Sequence, residues 1–262
     1  MSSVPIYTEK DFEGLRKAGK IASEILDYIT DYVDVGVSTG YLDDLCYKKI
    51  KELSVIPAPL GYHGYPKPTC ISVNHVVCHG IPSYDKKLKD GDILNIDITV
   101  IVDGYYGDTS RMYYAGNPSI KAKRLTQCTY DCLMLGIDQV KAGNTLGDIG
   151  YAIQTHAEKE GFSVVRDFCG HGIGTKFHDE PQVLHYGHKG KGMVLEEGMV
   201  FTIEPMINAG KYEVLVSKLD GWTTTTRDKS LSAQFEHTMA VKKDGVEIFT
   251  LSNKGYTCPP YK

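Results

Sequence analysis

Apolar residues recur at three-and-four spacing in "DFEGLRKAGKIASEILDYITDYV" (11–33) and again in "KAKRLTQCTYDCLMLGIDQVKAG" (121–143), the pattern of amphipathic helices. Each stretch runs into a glycine-marked break with Ser38 or Thr145 where an N-cap belongs, followed by a second helical pattern, "YLDDLCYKKIKEL" or "LGDIGYAIQTHAEKEG". Strand-like runs come next in both cases. The two halves match residue by residue at a single offset of 107 positions: "VDVGVSTGYL" (33–42) answers "VKAGNTLGDI" (140–149), and "LKDGDILNID" (88–97) answers "LEEGMVFTIE" (195–204). Two matches at one offset imply a duplication. The expectation is an α+β fold of two similar α/β halves, about 10–118 and 119–251, facing each other across a pseudo-twofold seam that holds a cleft.

The strand pattern carries an anomaly. In "ILNIDITVIVDGYYGDTSRMYY" (93–114) Asp97 interrupts an apolar, β-branched run, although a buried carboxylate without a partner costs several kcal/mol of hydration. The Asp103-Gly104 pair is a hairpin turn signal; a two-residue loop pairs 102 with 105, hence 99 with 108 and 97 with 110. Alternation then puts Asp97, Thr99, Asp108 and Ser110 on one face, with Asp97 and Asp108 diagonal neighbours about 7–8 Å apart. Duplication brings Glu204 of "FTIEPM" to the position equivalent to Asp97 in the other half, and Glu236 of "SAQFEHTMAV" lies within another alternating run. His171 and His178 of "CGHGIGTKFHDEP" are the imidazoles at hand. Gathered at one seam, these carboxylates repel one another unless cations neutralise them, and two divalent ions would balance the charge of four. Mostly oxygen ligands with one imidazole suit Mn, Fe, Co or Zn in open coordination rather than a closed thiolate zinc site.

Composition narrows the picture further. A chain of 262 residues with 42% hydrophobic content can bury a full core, and no stretch approaches the roughly 20 apolar residues of a membrane span. The start, "MSSVPIYTEKDFEG", lacks the basic and apolar regions of a signal peptide, so a cytoplasmic location is expected. Seven cysteines without a CxxC pair argue against a disulfide framework and a zinc ribbon, and Cys128 and Cys132 fit packing on one helix face. With 29 basic against 33 acidic residues there is no bulk attraction to nucleic acid. The clusters "KKLK" and "KAKR" are expected to be solvated turns, which leaves the ribosome as a candidate docking partner without a basic stripe to announce it. The end, "NKGYTCPPYK", is expected to be an unpacked tail (252–262).

From about residue 7 to 251 the chain closely resembles the type I methionine aminopeptidases, in their short bacterial or organellar form. The resemblance rests on "GYHGYPKPTCISVNHVVCHGIP", "NIDITVIVDGYYGDTSRM", "CGHGIGTKFHDEP", "FTIEPM" and "QFEHT". It implies the pita-bread fold, a single catalytic domain with a central curved antiparallel sheet, and a dinuclear centre of two divalent ions drawn from Co, Mn, Fe, Ni or Zn. Carried over by motif, Asp97 chelates one ion, His171 and Glu204 the other, and Asp108 and Glu236 bridge them. The implied reaction is hydrolytic removal of the initiator methionine from nascent polypeptides, with small second residues preferred. Glu204 is then also the general base, His178 stabilises the tetrahedral intermediate, and His79 contacts the scissile amide. The free amine binds beside Asp97, and the resemblance favours a monomer.

By the same resemblance Tyr62, Tyr65, Cys70, Phe177 and Trp222 line the pocket for the methionine side chain, where aromatic–sulfur contacts add roughly 0.3–1.5 kcal/mol to plain burial. Pro59 stands where many relatives carry Cys, and His75 where Glu is more usual; the first is expected to alter one pocket wall, the second the pKa values around His79. The alternatives on this fold are a proline-directed aminopeptidase and a non-catalytic binding protein. The proline-directed relatives generally carry an added N-terminal domain, whereas here the duplicated unit starts within about a dozen residues of Met1. The non-catalytic relatives lack ligands, whereas all five are present here. A type II enzyme needs an insertion between Glu204 and Glu236, which lie only 32 positions apart.

Overall fold

A computed structural model describes residues 4–261. Helix α1 (Glu9–Ile29) and α2 (Thr39–Glu52) cover one sheet; α3 (Ile120–Ile137) and α4 (Leu146–Lys159) cover another. The caps expected from sequence are present. The Ser38 hydroxyl accepts from the Tyr41 N–H, while Thr145 and Asp148 form a reciprocal capping box.

The duplication extends to the hydrogen bonds. Helix α2 and helix α4 begin and end 107 residues apart. The isolated bridge Ser38↔Lys87 recurs as Thr145↔Val194, and the bond from Gly36 N to Leu88 O recurs as Gly143 N to Leu195 O. Gly36 and Gly143 hold φ of 86° and 92°, a left-handed geometry that costs glycine nothing. The same backbone solution has been kept in both halves.

In the first half, strand 93–102 pairs with 105–114 on one side and with 70–73 and 56–57 on the other; in the second, strand 200–203 pairs with 237–242 and 170–172. All these pairings are antiparallel. The hairpin register is the one the Asp-Gly turn predicts, Asp97↔Ser110 and Thr99↔Asp108. At the seam the halves are stitched by a bridge between Ser110 and Glu236 and by two reciprocal bonds, Thr109 Oγ1 to Glu236 O and Thr238 Oγ1 to Asp108 O, each 2.7 Å. Glu236 and Asp108 are thus held side by side by backbone. Gly107, next to Asp108, lets α1 sit directly on the strand: a Cβ there would lie 2.3 Å from the Ala18 carbonyl carbon.

The C-terminal segment departs from expectation. Rather than an unpacked tail, it is anchored at both ends. Asp27, buried and paired with Arg111 at 2.6 Å, accepts from the Ser252 hydroxyl and the Asn253 N–H, and Tyr261 donates to Met112 O while its ring meets Tyr113 at 5.5 Å. A buried carboxylate needs several donors, and a polar-looking tail supplies them. Cys128 and Cys132 are buried in the core of the second half, as their spacing suggests. No helix among the described residues is long and apolar enough to cross a membrane.

Candidate metal centre and its pocket

At the seam one cavity of about 610 Å³ opens, lined by every residue that the sequence points to as a ligand, catalytic group or side-chain pocket wall: the four carboxylates, His171, His79, His178, and Tyr62, Tyr65, Cys70, Phe177 and Trp222. Each carboxylate projects from a strand or its immediate end, which fixes it more rigidly than a loop could. Asp97 lies between Cys70 and Ser110 in the sheet, Asp108 opposite Thr99, and Glu204 just beyond strand 200–203.

Neighbouring side chains and backbone hold these acids in place. Thr99 Oγ1 donates to Asp108 Oδ1 at 2.6 Å, Thr202 Oγ1 to Glu204 Oε1 at 2.8 Å, and Gln234 Nε2 to Glu204 Oε2 at 3.2 Å. The Glu204 N–H donates to His185 Nε2 at 3.1 Å. His171 turns Nδ1 to the Gly172 carbonyl, 3.1 Å away, so Nδ1 carries the proton and Nε2 is a bare lone pair. That lone pair faces Asp108 Oδ2 at 3.6 Å and Glu204 Oε1 at 3.5 Å. Three acceptors directed at one another, too far apart to bond, leave the space a cation fills. Asp108, His171 and Glu236 each offer a ligand atom within 4.8 Å of the others, and Asp97 Oδ1 is buried with no hydrogen-bond partner.

Electrostatics agree. Without a cation, burial and the neighbouring Asp108 and Glu204 charges push Asp97 well above the usual carboxylate range. Burial lifts Asp108 to about 7, and burial with the Asp108 charge lifts Glu204 to about 8. Glu236 is raised for the same two reasons. His171 is driven down to about 3 by burial and then by His178, so it is neutral and able to ligate. The donor set, oxygen-rich with one imidazole and no thiolate, fits hard or borderline divalent ions.

Beside this centre is an aromatic pocket. Tyr65 and Trp222 meet edge to face at 5.2 Å, and the Tyr65 hydroxyl lies 3.1 Å from both the Thr69 and Gly80 carbonyls. Burial keeps the Cys70 thiol protonated, a soft apolar wall rather than a nucleophile. Phe177 stacks on Tyr106 and on the His178 ring, at 5.6 and 4.2 Å. His79, held at φ 55°, sets its ring against Phe168 and Trp222.

Sequence reasoning missed Phe168, Cys169, Met206 and the supports Thr202, Gln234 and His185. Thr202 and Gln234 each stand two positions before an acid in an extended run, so alternation puts them on the same face as Glu204 and Glu236; that signal was available. Nothing local marks Phe168 or His185. Pro59 does line the cavity, as expected. His75 does not: it sits in the turn after strand 70–73, where its carbonyl accepts from Thr226 N, and its pKa is lowered by burial and then by Lys229 and Lys86. Four residues of extended chain span about 13 Å, which removes it from the surroundings of His79.

Comparison with known proteins matches this arrangement. Metallopeptidase family M24 matches residues 13–243. The chain is 63% identical to a methionine aminopeptidase of Rickettsia prowazekii over 99% of this chain and 100% of that one. It is 56% identical to the methionine aminopeptidase of Escherichia coli K12 over 95% and 94% of the two. A crystal structure of the Rickettsia prowazekii methionine aminopeptidase superposes with a TM-score of 0.94 at 64% identity, covering 95% of this chain and 100% of that one. The prolidase of Pyrococcus horikoshii, at 23% identity and a TM-score of 0.73 over 94% of this chain and 63% of that one, shares the fold. The orphaned Asp97 oxygen, the bare His171 lone pair and these likenesses have one explanation: the chain belongs to metallopeptidase family M24, in its methionine aminopeptidase branch.

Proposed function

We propose that this chain removes the initiator methionine from nascent polypeptides with a small second residue, using two divalent ions held by Asp97, Asp108, His171, Glu204 and Glu236. The observation that carries the reading is the convergence of four acids and the His171 Nε2 lone pair, with Asp97 Oδ1 left without a partner, beside an aromatic, thiol-lined pocket. When bound, such ions supply Lewis acidity that polarises a carbonyl and acidifies water. Asp97 would serve one ion, His171 and Glu204 the other, and Asp108 and Glu236 would be shared between them.

The chain's own residues do the rest. Glu204 is the carboxylate placed to take a proton from water and return it to the leaving amine. His178, pushed down to about 4 by its surroundings and the nearby His79 and His63, stays neutral and donates a hydrogen bond to the substrate carbonyl. His79 contacts the scissile amide, and the free α-amine binds beside Asp97 and the ion it would hold, which limits cleavage to N-termini. Tyr62, Tyr65, Cys70, Phe177 and Trp222 hold the methionine side chain. We further assign the chain to the cytoplasm as a monomer, with the ribosome as a candidate partner.

The test is methionine release from Met-Gly, Met-Leu and Ala-Pro peptides by chelated enzyme and by enzyme resupplied with Mn²⁺ or Co²⁺. Metal-restored cleavage of Met-Gly over Met-Leu is the expected result. Cleavage of Ala-Pro would move the protein to the proline-directed relatives. The supports are testable separately: Gln234→Ala, which frees Glu204 Oε2, is expected to weaken metal binding about 10–100-fold by titration calorimetry.

A further inference from the structure

We propose that the Tyr62 hydroxyl fixes His178 in the tautomer protonated at Nε2, making Tyr62 a positioning residue for hydrolysis as well as a wall of the side-chain pocket. This rests on the reading of His178 as the donor to the substrate carbonyl. Tyr62 Oη lies 2.8 Å from His178 Nδ1, and among the described residues it has no other hydrogen-bond partner. A neutral imidazole offers one donor and one acceptor. If Nδ1 carried the proton, the phenolic proton would have no protein acceptor and Nε2 would direct a lone pair at the carbonyl oxygen. With the phenol donating to Nδ1, both groups are satisfied and Nε2–H is free to donate.

The loop carrying Tyr62 is built to hold that hydroxyl still. Gly61, His63 and Gly64 take φ of 83°, 46° and 86°, and the turn is closed by bonds from Tyr62 N to Pro59 O and Gly61 N to Tyr65 O. A non-glycine residue at positive φ persists only where its surroundings over-determine it. The Tyr62 ring packs on Phe177 at 4.8 Å and on the His178 ring at 5.2 Å. Pocket wall and imidazole therefore move as one group, and a methionine side chain seated on Tyr62 braces His178 in the same contact.

Tyr62→Phe removes the hydroxyl and keeps the ring. In zinc-loaded protein labelled with ¹⁵N-histidine, wild-type His178 is expected to show an acceptor-type shift at Nδ1 and a protonated-type shift at Nε2, and Y62F a mixture of tautomers. On a Met-Gly peptide Y62F is expected to lower kcat about tenfold, the worth of one hydrogen bond, with KM changed less than twofold. In a His178→Ala background the same substitution should have no further effect on kcat. Unchanged His178 ring shifts in Y62F, or an equal loss of kcat with and without His178, would overturn the assignment. Full turnover by H178A alone would instead remove the role given to His178, while the ring shifts would still decide what Tyr62 does.

Discussion

Replacing Asp97 with alanine is expected to abolish methionine release while leaving the protein folded, and to make the metal-free protein more resistant to heat at pH 8. Asp97 occupies the middle of strand 93–102, between Cys70 and Ser110, and its Oδ1 is buried without a partner. Nothing in the sheet depends on that carboxylate, so its removal costs no hydrogen bond. The loss of turnover should exceed the roughly 10²–10³-fold that a single well-placed electrostatic group contributes, because a ligand and the anchor for the substrate amine go together. Steady-state kinetics at saturating Mn²⁺, the metal content of the purified variant and a melting curve of the chelated protein check the three parts. Wild-type kcat/KM in D97A would sink the assignment of Asp97 to the metal. A chelated D97A that melts below chelated wild type would show that the carboxylate supports the fold, and Asp97→Asn separates loss of charge from loss of shape.

Why so much of this site was legible follows from where its residues stand. Asp97, Asp108, Glu204 and Glu236 are acids in apolar, alternating runs, and alternation fixes the face of each once the strand is recognised. The Asp103-Gly104 turn fixed the hairpin register to the residue, and the 107-residue offset tied Glu204 to Asp97 across the molecule. What periodicity cannot supply is contact between loops. Phe168 lines the cavity from the loop between strands 163–164 and 170–172, and no local pattern marks it. His75 is the opposite case: nearness to His79 along the chain is not nearness in space, because strand 76–78 lies between them. The C-terminal segment looked unpacked because its anchors, Tyr261 and the donors to Asp27, are polar or isolated in sequence and find partners only through the tertiary fold.

The same crowding of acids predicts how the metal-free protein responds to pH. In the folded, metal-free state Asp108 and Glu204 hold protons up to about 7 and about 8, whereas unfolded carboxylates release theirs near 4. Between these limits the folded state binds more protons than the unfolded one, so stability falls as pH rises, by about 1.4 kcal/mol per pH unit for each proton retained. Histidines act in the opposite sense: His171, His185 and His237 are each driven to about 3, and their neutral burial adds stability as pH climbs toward the ordinary imidazole range. Above pH 6.5 that gain tails off, while the raised carboxylates, Asp97 and Glu236 included, still hold their protons and dominate. Chelated protein is therefore expected to lose melting temperature from pH 6.5 to 8.5. Bound cations displace those protons, so the rise in melting temperature on adding Mn²⁺ should grow with pH over the same interval. A melting temperature of the chelated protein that stays level or climbs between pH 6.5 and 8.5 would mean that the four acids are neutralised within the protein itself, and the case for metal as their missing counter-charge would fail.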